Sequence, residues 1–194
     1  LKQCVYSDLK VMDYIFQQAP DDVLIHLANS TPVRYAQLFN HPLKRRFYSN
    51  RGTSGIDGSV STAAGFAFQT NDTHLLISGD LSFFYDTNAL WNRQFPQNLK
   101  IVVMNNGGGG IFRVIDGPSS TDLLEDFFEA THQQSVKGIV EAHGLIYFQA
   151  VDMESLSSSW EDFMEEDAAA AVLEIFTSAQ ISASVLRDYF KALS

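Results

Sequence analysis

A single cysteine, Cys4, in 194 residues excludes an internal disulfide and a thiolate-held metal cluster. That usage fits a reducing cytoplasm, and Cys4 itself reads as an incidental thiol on an amphipathic helix. Basic charge is scarce. Thirteen Lys and Arg face 23 Asp and Glu, for a formal net charge of −10, which argues against nucleic acid or an anionic membrane as the main partner. No apolar run is long enough to form a transmembrane segment, and no signal-peptide pattern is present. Internal repeats and low-complexity tracts are also missing. His132 and His143 have no neighbours at metal-ligand spacing, so hydrogen-bonded or solvent-facing roles are expected for them. The chain opens on Leu1 rather than Met, as a piece of a longer polypeptide would.

What is present is ample core: 45% of the residues are hydrophobic, enough for one globular domain. Helical and strand patterns alternate. Residues 5–18 have Val5, Leu9, Met12, Ile15 and Phe16 at helical spacing and stop at Ala19-Pro20. Strands are expected at 22–28, 46–49, 74–78, 100–104, 145–150 and 170–176. Helices are expected from Ser30 or Thr31 as cap, over 59–69, from Ser82 to about Arg93, and over 121–130, 135–143, 154–166 and 178–193. In the Ser82 helix, Phe83, Leu90 and Trp91 form the apolar side. About six strands alternating with helices make a doubly wound α/β fold, a parallel sheet with helices on both faces. Residues 1–20 read as a leading helix and linker, and 21–194 as the domain proper. The acidic run from Glu161 to Asp167 reads as a solvated helix face.

The stretch Gly79–Phe112, GDLSFFYDTNALWNRQFPQNLKIVVMNNGGGGIF, carries most of the chemistry. A buried strand ends at Gly79-Asp80, and a second ends at Asn105-Asn106 followed by four glycines. Parallel strands joined through a helix place their carboxyl ends side by side, where open α/β sheets bind ligands. Asp80, Asn106 and the glycine backbone should therefore converge. A carboxylate, an amide carbonyl and a backbone carbonyl are hard oxygen donors, suited to Mg²⁺, Mn²⁺ or Ca²⁺ and poor for zinc. Glycine N–H groups and a helix start add an anion-favouring environment. The set suits a metal-bound diphosphate, although Asp80 could equally cap a helix beside a flexible turn.

Gly-Asp followed 26 positions later by Asn106 of an Asn-Asn pair resembles the diphosphate-binding motif of thiamine-diphosphate enzymes. A second stretch, Tyr48–Gly65 (YSNRGTSGIDGSVSTAAG), sharpens the resemblance. Together with GDLSFFYDTNAL it is similar to one branch, the 2-succinyl-5-enolpyruvyl-6-hydroxy-3-cyclohexene-1-carboxylate synthases. The likeness runs from Asn29 to Ile115. It implies the thiamine-diphosphate-binding fold, with thiamine diphosphate and Mg²⁺ as cofactors. Asp80, the Asn106 side chain and the Gly108 carbonyl would then hold the metal. Ile56 would be the apolar wedge under the cofactor, with Gly55, Gly79, Leu81, Ser82, Gly109 and Gly110 around it. Ser30, Arg34 and Arg51 match polar substrate positions, and guanidinium groups suit dicarboxylates. Ile111, Phe112 and Ile115 match an apolar wall, and each could also be ordinary core.

The resemblance further implies decarboxylation of 2-oxoglutarate and addition of the product to isochorismate. No catalytic residue is expected in this chain, since the activating glutamate would sit on a pyrimidine-binding domain of the same or a second subunit. The fragment alone should then be inactive, and the intact protein a homodimer or homotetramer. Two other readings stay open. One is the equivalent domain of an acetolactate synthase-like enzyme or a 2-oxoacid decarboxylase, for which Leu81 and the two arginines are less suited. The other is a non-catalytic Mg²⁺-binding regulatory domain.

Overall fold

The structure is a computed structural model and describes residues 4–165 and 169–193. Glu166 and Asp167, the end of the acidic run and of the expected helix 154–166, lie outside the described residues.

The sheet has six strands: β1 (Leu24–Leu27), β2 (Arg46–Tyr48), β3 (His74–Gly79), β4 (Leu99–Asn105), β5 (Ile146–Ala150) and β6 (Ala171–Phe176). Short runs rich in Leu, Ile and Val, buried on both sides, build β1, β3, β4 and β6, whereas β2 and β5 are partly exposed. They form a sheet in the order β2-β1-β3-β4-β6-β5, and every pair is parallel. Strand periodicity sends alternate residues to opposite faces. Leu75, Ile77, Val102, Met104, Leu173 and Ile175 meet α1 (Asp8–Gln18), α2 (Thr31–Ala36), α6 (Met153–Met164) and α7 (Ala179–Lys191). Leu76, Ile101, Val103 and Val172 meet α3 (Ser59–Ala67), α4 (Asp80–Tyr85) and α5 (Lys137–Ala142) on the other face. The expected doubly wound α/β architecture is what is observed.

The chain places β2 on one side of β1 and then crosses to β3 on the other. Such a reversal opens a crevice beyond the carboxyl ends of the strands. The leading helix belongs to the same packed body. Leu9, Val11, Met12 and Ile15 of α1 are fully buried, each worth about 1.5–3 kcal/mol of apolar transfer. Ser7 caps α1, its hydroxyl accepting from the Lys10 N–H.

Several local expectations fail for identifiable reasons. Val5 and Trp91, expected to face inward, are 58% and 72% exposed. The helix expected to run from Ser82 to Arg93 starts at Asp80 and ends at Tyr85, followed by a 3₁₀ turn at Thr87–Ala89. Asp86 stops it: its buried carboxylate accepts from the Ser61 N–H at 2.7 Å and from the Ser61 hydroxyl, which ties α4 to α3. Residues 121–130 form no single helix but a π-turn at Leu124–Phe128, and Ala130 sits at φ +48°. Here the backbone turns away to bond the glycine run, as described next.

Candidate functional site

Asp80 follows the last residue of β3 and Asn106 the last of β4, and register sets them side by side, since Gly79 pairs with Met104. Asp80 is 2% exposed, and its carboxylate organises the turn after β4. Oδ2 accepts from the Gly107 and Gly108 N–H groups, both at 2.9 Å, and lies 3.2 Å from His132 Nε2. Oδ1 accepts from the Leu81 N–H at 2.6 Å. Burial pushes the Asp80 carboxyl up from its ordinary value, while the Leu81 N–H, the His132 ring and the Gly108 and Gly107 N–H groups pull it down.

The glycine run is packed, not slack. The Gly109 N–H donates to the Glu129 carbonyl at 2.7 Å, and the His132 N–H donates to the Gly107 carbonyl at 3.0 Å. Residues 128–132 thus form a strap across the turn. Gly108, at φ +145°, leaves no room for a side chain, because a Cβ there would lie 2.6 Å from the Glu129 carbonyl oxygen. Arg113 holds the strap from outside, pairing at 2.7 Å with both Glu125 and the buried Glu129. All four glycine N–H groups therefore have protein partners, with Gly110 bonded to the Gly108 carbonyl. The anticipated use of these amides as an anion cradle is not what this arrangement offers. An anion here would be held through a cation.

A cavity of about 160 Å³ opens at this point. Its lining includes Asp80, Asn106 and Gly108, the three expected metal ligands, and Ile56, Gly79, Leu81, Ser82, Gly109 and Gly110 of the expected cofactor shell. Ser30, Ile111 and Phe112 of the expected substrate set line it too. Ser82 does not cap its helix. Its hydroxyl donates to the Ile56 carbonyl, which brings the Asn50–Gly58 loop to the cavity. Ser30 holds the N-cap position of α2 at φ +74° without a capping bond, a strained conformation of the kind found at sites.

Four expected residues lie off the lining. The exposed Arg34 donates to the Ser30 carbonyl at 2.6 Å. Arg51 donates to Asn29 Oδ1 at 2.6 Å and lines a neighbouring groove beside β2. Gly55 gives its carbonyl to Asn29 Nδ2, and Ile115 is 42% exposed. The residue joining these parts, Asn29, was not anticipated. It is 1% exposed, lines the cavity, and bridges Arg51, Asn50 and Gly55. His132 was not anticipated at the site either; His143 is exposed, as expected. No spacing signal marks Asn29 or His132.

Oxygen donors predominate in the cavity, and among the described residues no cluster of three or more His, Cys, Asp or Glu forms a metal centre of another kind. Asn106 Nδ2 is spent on Asp8 at 3.0 Å, so Oδ1 is the end left for the cavity. A carboxylate, an amide oxygen and a backbone carbonyl fit Mg²⁺, with the remaining positions left to phosphate oxygens and water.

Residues 30–175 match the family model described as the C-terminal TPP binding domain of thiamine pyrophosphate enzymes. The chain belongs to that family. Thiamine pyrophosphate is thus the cofactor of its class. The thiamine pyrophosphate enzymes similar to it include proteins named 2-succinyl-5-enolpyruvyl-6-hydroxy-3-cyclohexene-1-carboxylate synthase. That of Christiangramia forsetii is 45% identical over 95% of this chain and 32% of its own length. That of Porphyromonas gingivalis is 45% identical over 97% and 33%, and that of Flavobacterium johnsoniae 38% identical over 100% and 35%. The chain therefore spans about a third of the length of these relatives. Among solved structures, benzoylformate decarboxylase from Polynucleobacter necessarius matches 89% of this chain and 33% of its own, with a TM-score of 0.75 at 16% identity. That likeness shows the fold alone. No described helix is long and apolar enough to cross a membrane.

Proposed function

We propose that this chain is the diphosphate-holding domain of a 2-succinyl-5-enolpyruvyl-6-hydroxy-3-cyclohexene-1-carboxylate synthase. The observation that carries the reading is one cavity at the carboxyl ends of β3 and β4 where Asp80, Asn106 and Gly108 meet the apolar residues Ile56, Ile111 and Phe112. The relatives at 45% identity support the branch.

Asp80, the Asn106 amide oxygen and the Gly108 carbonyl would hold Mg²⁺, and through it the diphosphate. Mn²⁺ and Ca²⁺ have the same ligand chemistry. Bound thiamine diphosphate would supply the carbon nucleophile and electron sink for decarboxylating 2-oxoglutarate and joining the remaining unit to isochorismate. Ile56 lines the cavity on the β2–α3 loop, where an apolar side chain can shape the cofactor without competing for its proton. Ile111 and Phe112 exclude water from the neighbouring wall. Arg51 spends one N–H on Asn29 and keeps other guanidinium donors for a carboxylate, as does Arg34 beyond Ser30. No residue of the cavity matches the activating glutamate of the family, so that role would fall to a pyrimidine-binding domain of the same or a second subunit. Alone the chain would not turn over, and the working enzyme would be a homodimer or homotetramer. The lone Cys4 and the metabolite substrates fit the cytoplasm.

The test uses the full-length enzyme with thiamine diphosphate and Mg²⁺, following CO₂ release from 2-oxoglutarate with and without isochorismate. Release that requires isochorismate, and falls on the order of a hundredfold in Asp80→Ala, is the expected result. Release from pyruvate instead would move the function to an acetolactate synthase-like enzyme or a 2-oxoacid decarboxylase. No release from either acid would leave a non-catalytic Mg²⁺-binding domain.

A further inference from the structure

We propose that Asp8, in the leading helix, is a positioning residue for the metal site. Its carboxylate fixes the side-chain amide of Asn106 with the oxygen turned to the cavity. This rests on the reading of Asp80, Asn106 and Gly108 as metal ligands.

Asp8 is not needed to begin its own helix, because the Ser7 hydroxyl already accepts from the Lys10 N–H. Its carboxylate instead reaches a residue 98 positions away. Oδ2 accepts from Asn106 Nδ2 at 3.0 Å, and Oδ1 accepts from the Thr177 hydroxyl at 2.5 Å. The Asp8 N–H donates to the Ser182 hydroxyl at 3.0 Å, which pins the same residue to α7. Asp8 is 3% exposed, and the fully buried Leu9, Met12 and Ile15 behind it hold α1 against the sheet. The carboxylate is therefore a fixed acceptor.

An asparagine side chain has two nearly isosteric ends with opposite roles. A cation needs the oxygen end, and an amide turned by half a rotation would present N–H groups to it. With Oδ2 of Asp8 as acceptor, only the nitrogen end of Asn106 can bond there, and the oxygen lies on the other fork. Close packing reinforces the setting: a Cβ at Gly110 would lie 2.9 Å from Asn106 Nδ2. Residues that orient a metal ligand in this way are typically worth 10–100-fold in metal affinity.

The experiment uses the full-length, metal-free enzyme and titrates Mg²⁺ calorimetrically at saturating thiamine diphosphate. Asp8→Ala should raise the Mg²⁺ Kd by about tenfold or more. Asp8→Asn keeps one side-chain oxygen that can accept from Asn106, so it should stay within about threefold of the wild type. Asp80→Ala is the control for the underlying reading. Undiminished Mg²⁺-dependent binding in Asp80→Ala overturns the metal assignment itself. Lost binding in Asp80→Ala with a wild-type Mg²⁺ Kd in Asp8→Ala overturns the role of Asp8 alone. So does a loss in Asp8→Asn as large as in Asp8→Ala, since charge rather than amide orientation would then be responsible. If Asp8→Ala does not fold, Asp8→Leu fills the volume without an acceptor and gives the same readout. Failure of both to fold would assign Asp8 to the fold and overturn the proposal.

Discussion

Gly108→Ala tests the strap that residues 128–132 lay over the glycine turn. The new Cβ would sit 2.6 Å from the Glu129 carbonyl oxygen, where ordinary contact begins at 3.4 Å, and at φ +145°. Neither neighbour can yield cheaply. Glu129 is tied by its carbonyl to the Gly109 N–H at 2.7 Å and by its side chain to Arg113 at 2.7 Å. The Gly108 N–H is bonded to the buried Asp80. A side chain in this backbone region costs about 1–3 kcal/mol, and the displaced Glu129 bond adds about 1 kcal/mol. The turn should open more easily by about 3 kcal/mol, which at roughly 1.4 kcal/mol per decade is about a hundredfold in the opening equilibrium. Hydrogen exchange followed by mass spectrometry reads this directly in peptides spanning residues 105–132 of the metal-free enzyme. Gly52→Ala is the comparison, because a Cβ there meets nothing within 4 Å. Exchange in Gly108→Ala as slow as in Gly52→Ala would show that the strap does not hold the turn.

Two further predictions concern the sheet. His26 Nε2 lies 2.8 Å from His74 Nδ1, whose ring continues to Thr70 at 2.7 Å. Burial, and then the His74 ring, lower His26 from 6.5 to about 4. The unfolded chain therefore takes up a proton that the folded one refuses between about pH 6.5 and 4. Stability from this residue is intact above that window and is lost as pH falls through it. Urea unfolding at pH 7 and pH 5 should show the wild type losing about 2 kcal/mol more than His26→Phe; equal losses would refute the lowered titration of His26. Glu174, fully buried, accepts from Asn105 at 2.7 Å, Ser135 at 2.6 Å, the Val136 N–H at 3.0 Å and Tyr147 at 2.7 Å. Glu174→Gln turns an amide N–H toward some of these donors and should cost about 2–3 kcal/mol in urea unfolding. A change under about 0.5 kcal/mol would mean the network is not holding the segment before α5.

The layered fold was legible because its inner strands are short apolar runs divided by helical periods, and that alternation points to a parallel sheet. Strand order was not legible, since nothing in β5 or β6 announces that β6 lies between β5 and β4. Helix ends failed where a side chain leaves its own helix for another element. The Asp86 carboxylate bonds Ser61 of α3, α4 ends at Tyr85, and Trp91 is left exposed. Periodicity assumes that each residue serves its own element. The segment 121–130 failed through its backbone instead, because the Glu129 carbonyl is committed to Gly109.

The site divides along the same line. Groups that would touch the ligand sit at strand ends a fixed distance apart in sequence, so Asp80, Asn106 and the glycines could be found by spacing. The residues around them are Asp8, which bonds Asn106, Asn29, which bonds Arg51, and His132, whose ring lies 3.2 Å from Asp80; these are ordinary polar residues brought in from α1, the turn after β1 and the strap. Each meets a partner remote in sequence, which no local pattern records. Arg34 and Arg51 show the converse. Their residue type suits a dicarboxylate, but in this chain each guanidinium bonds a protein oxygen at 2.6 Å, and neither lines the cavity. Residue type at a matching position therefore predicts the chemistry available. Whether that chemistry is aimed at a ligand depends on the partners that hold the side chain.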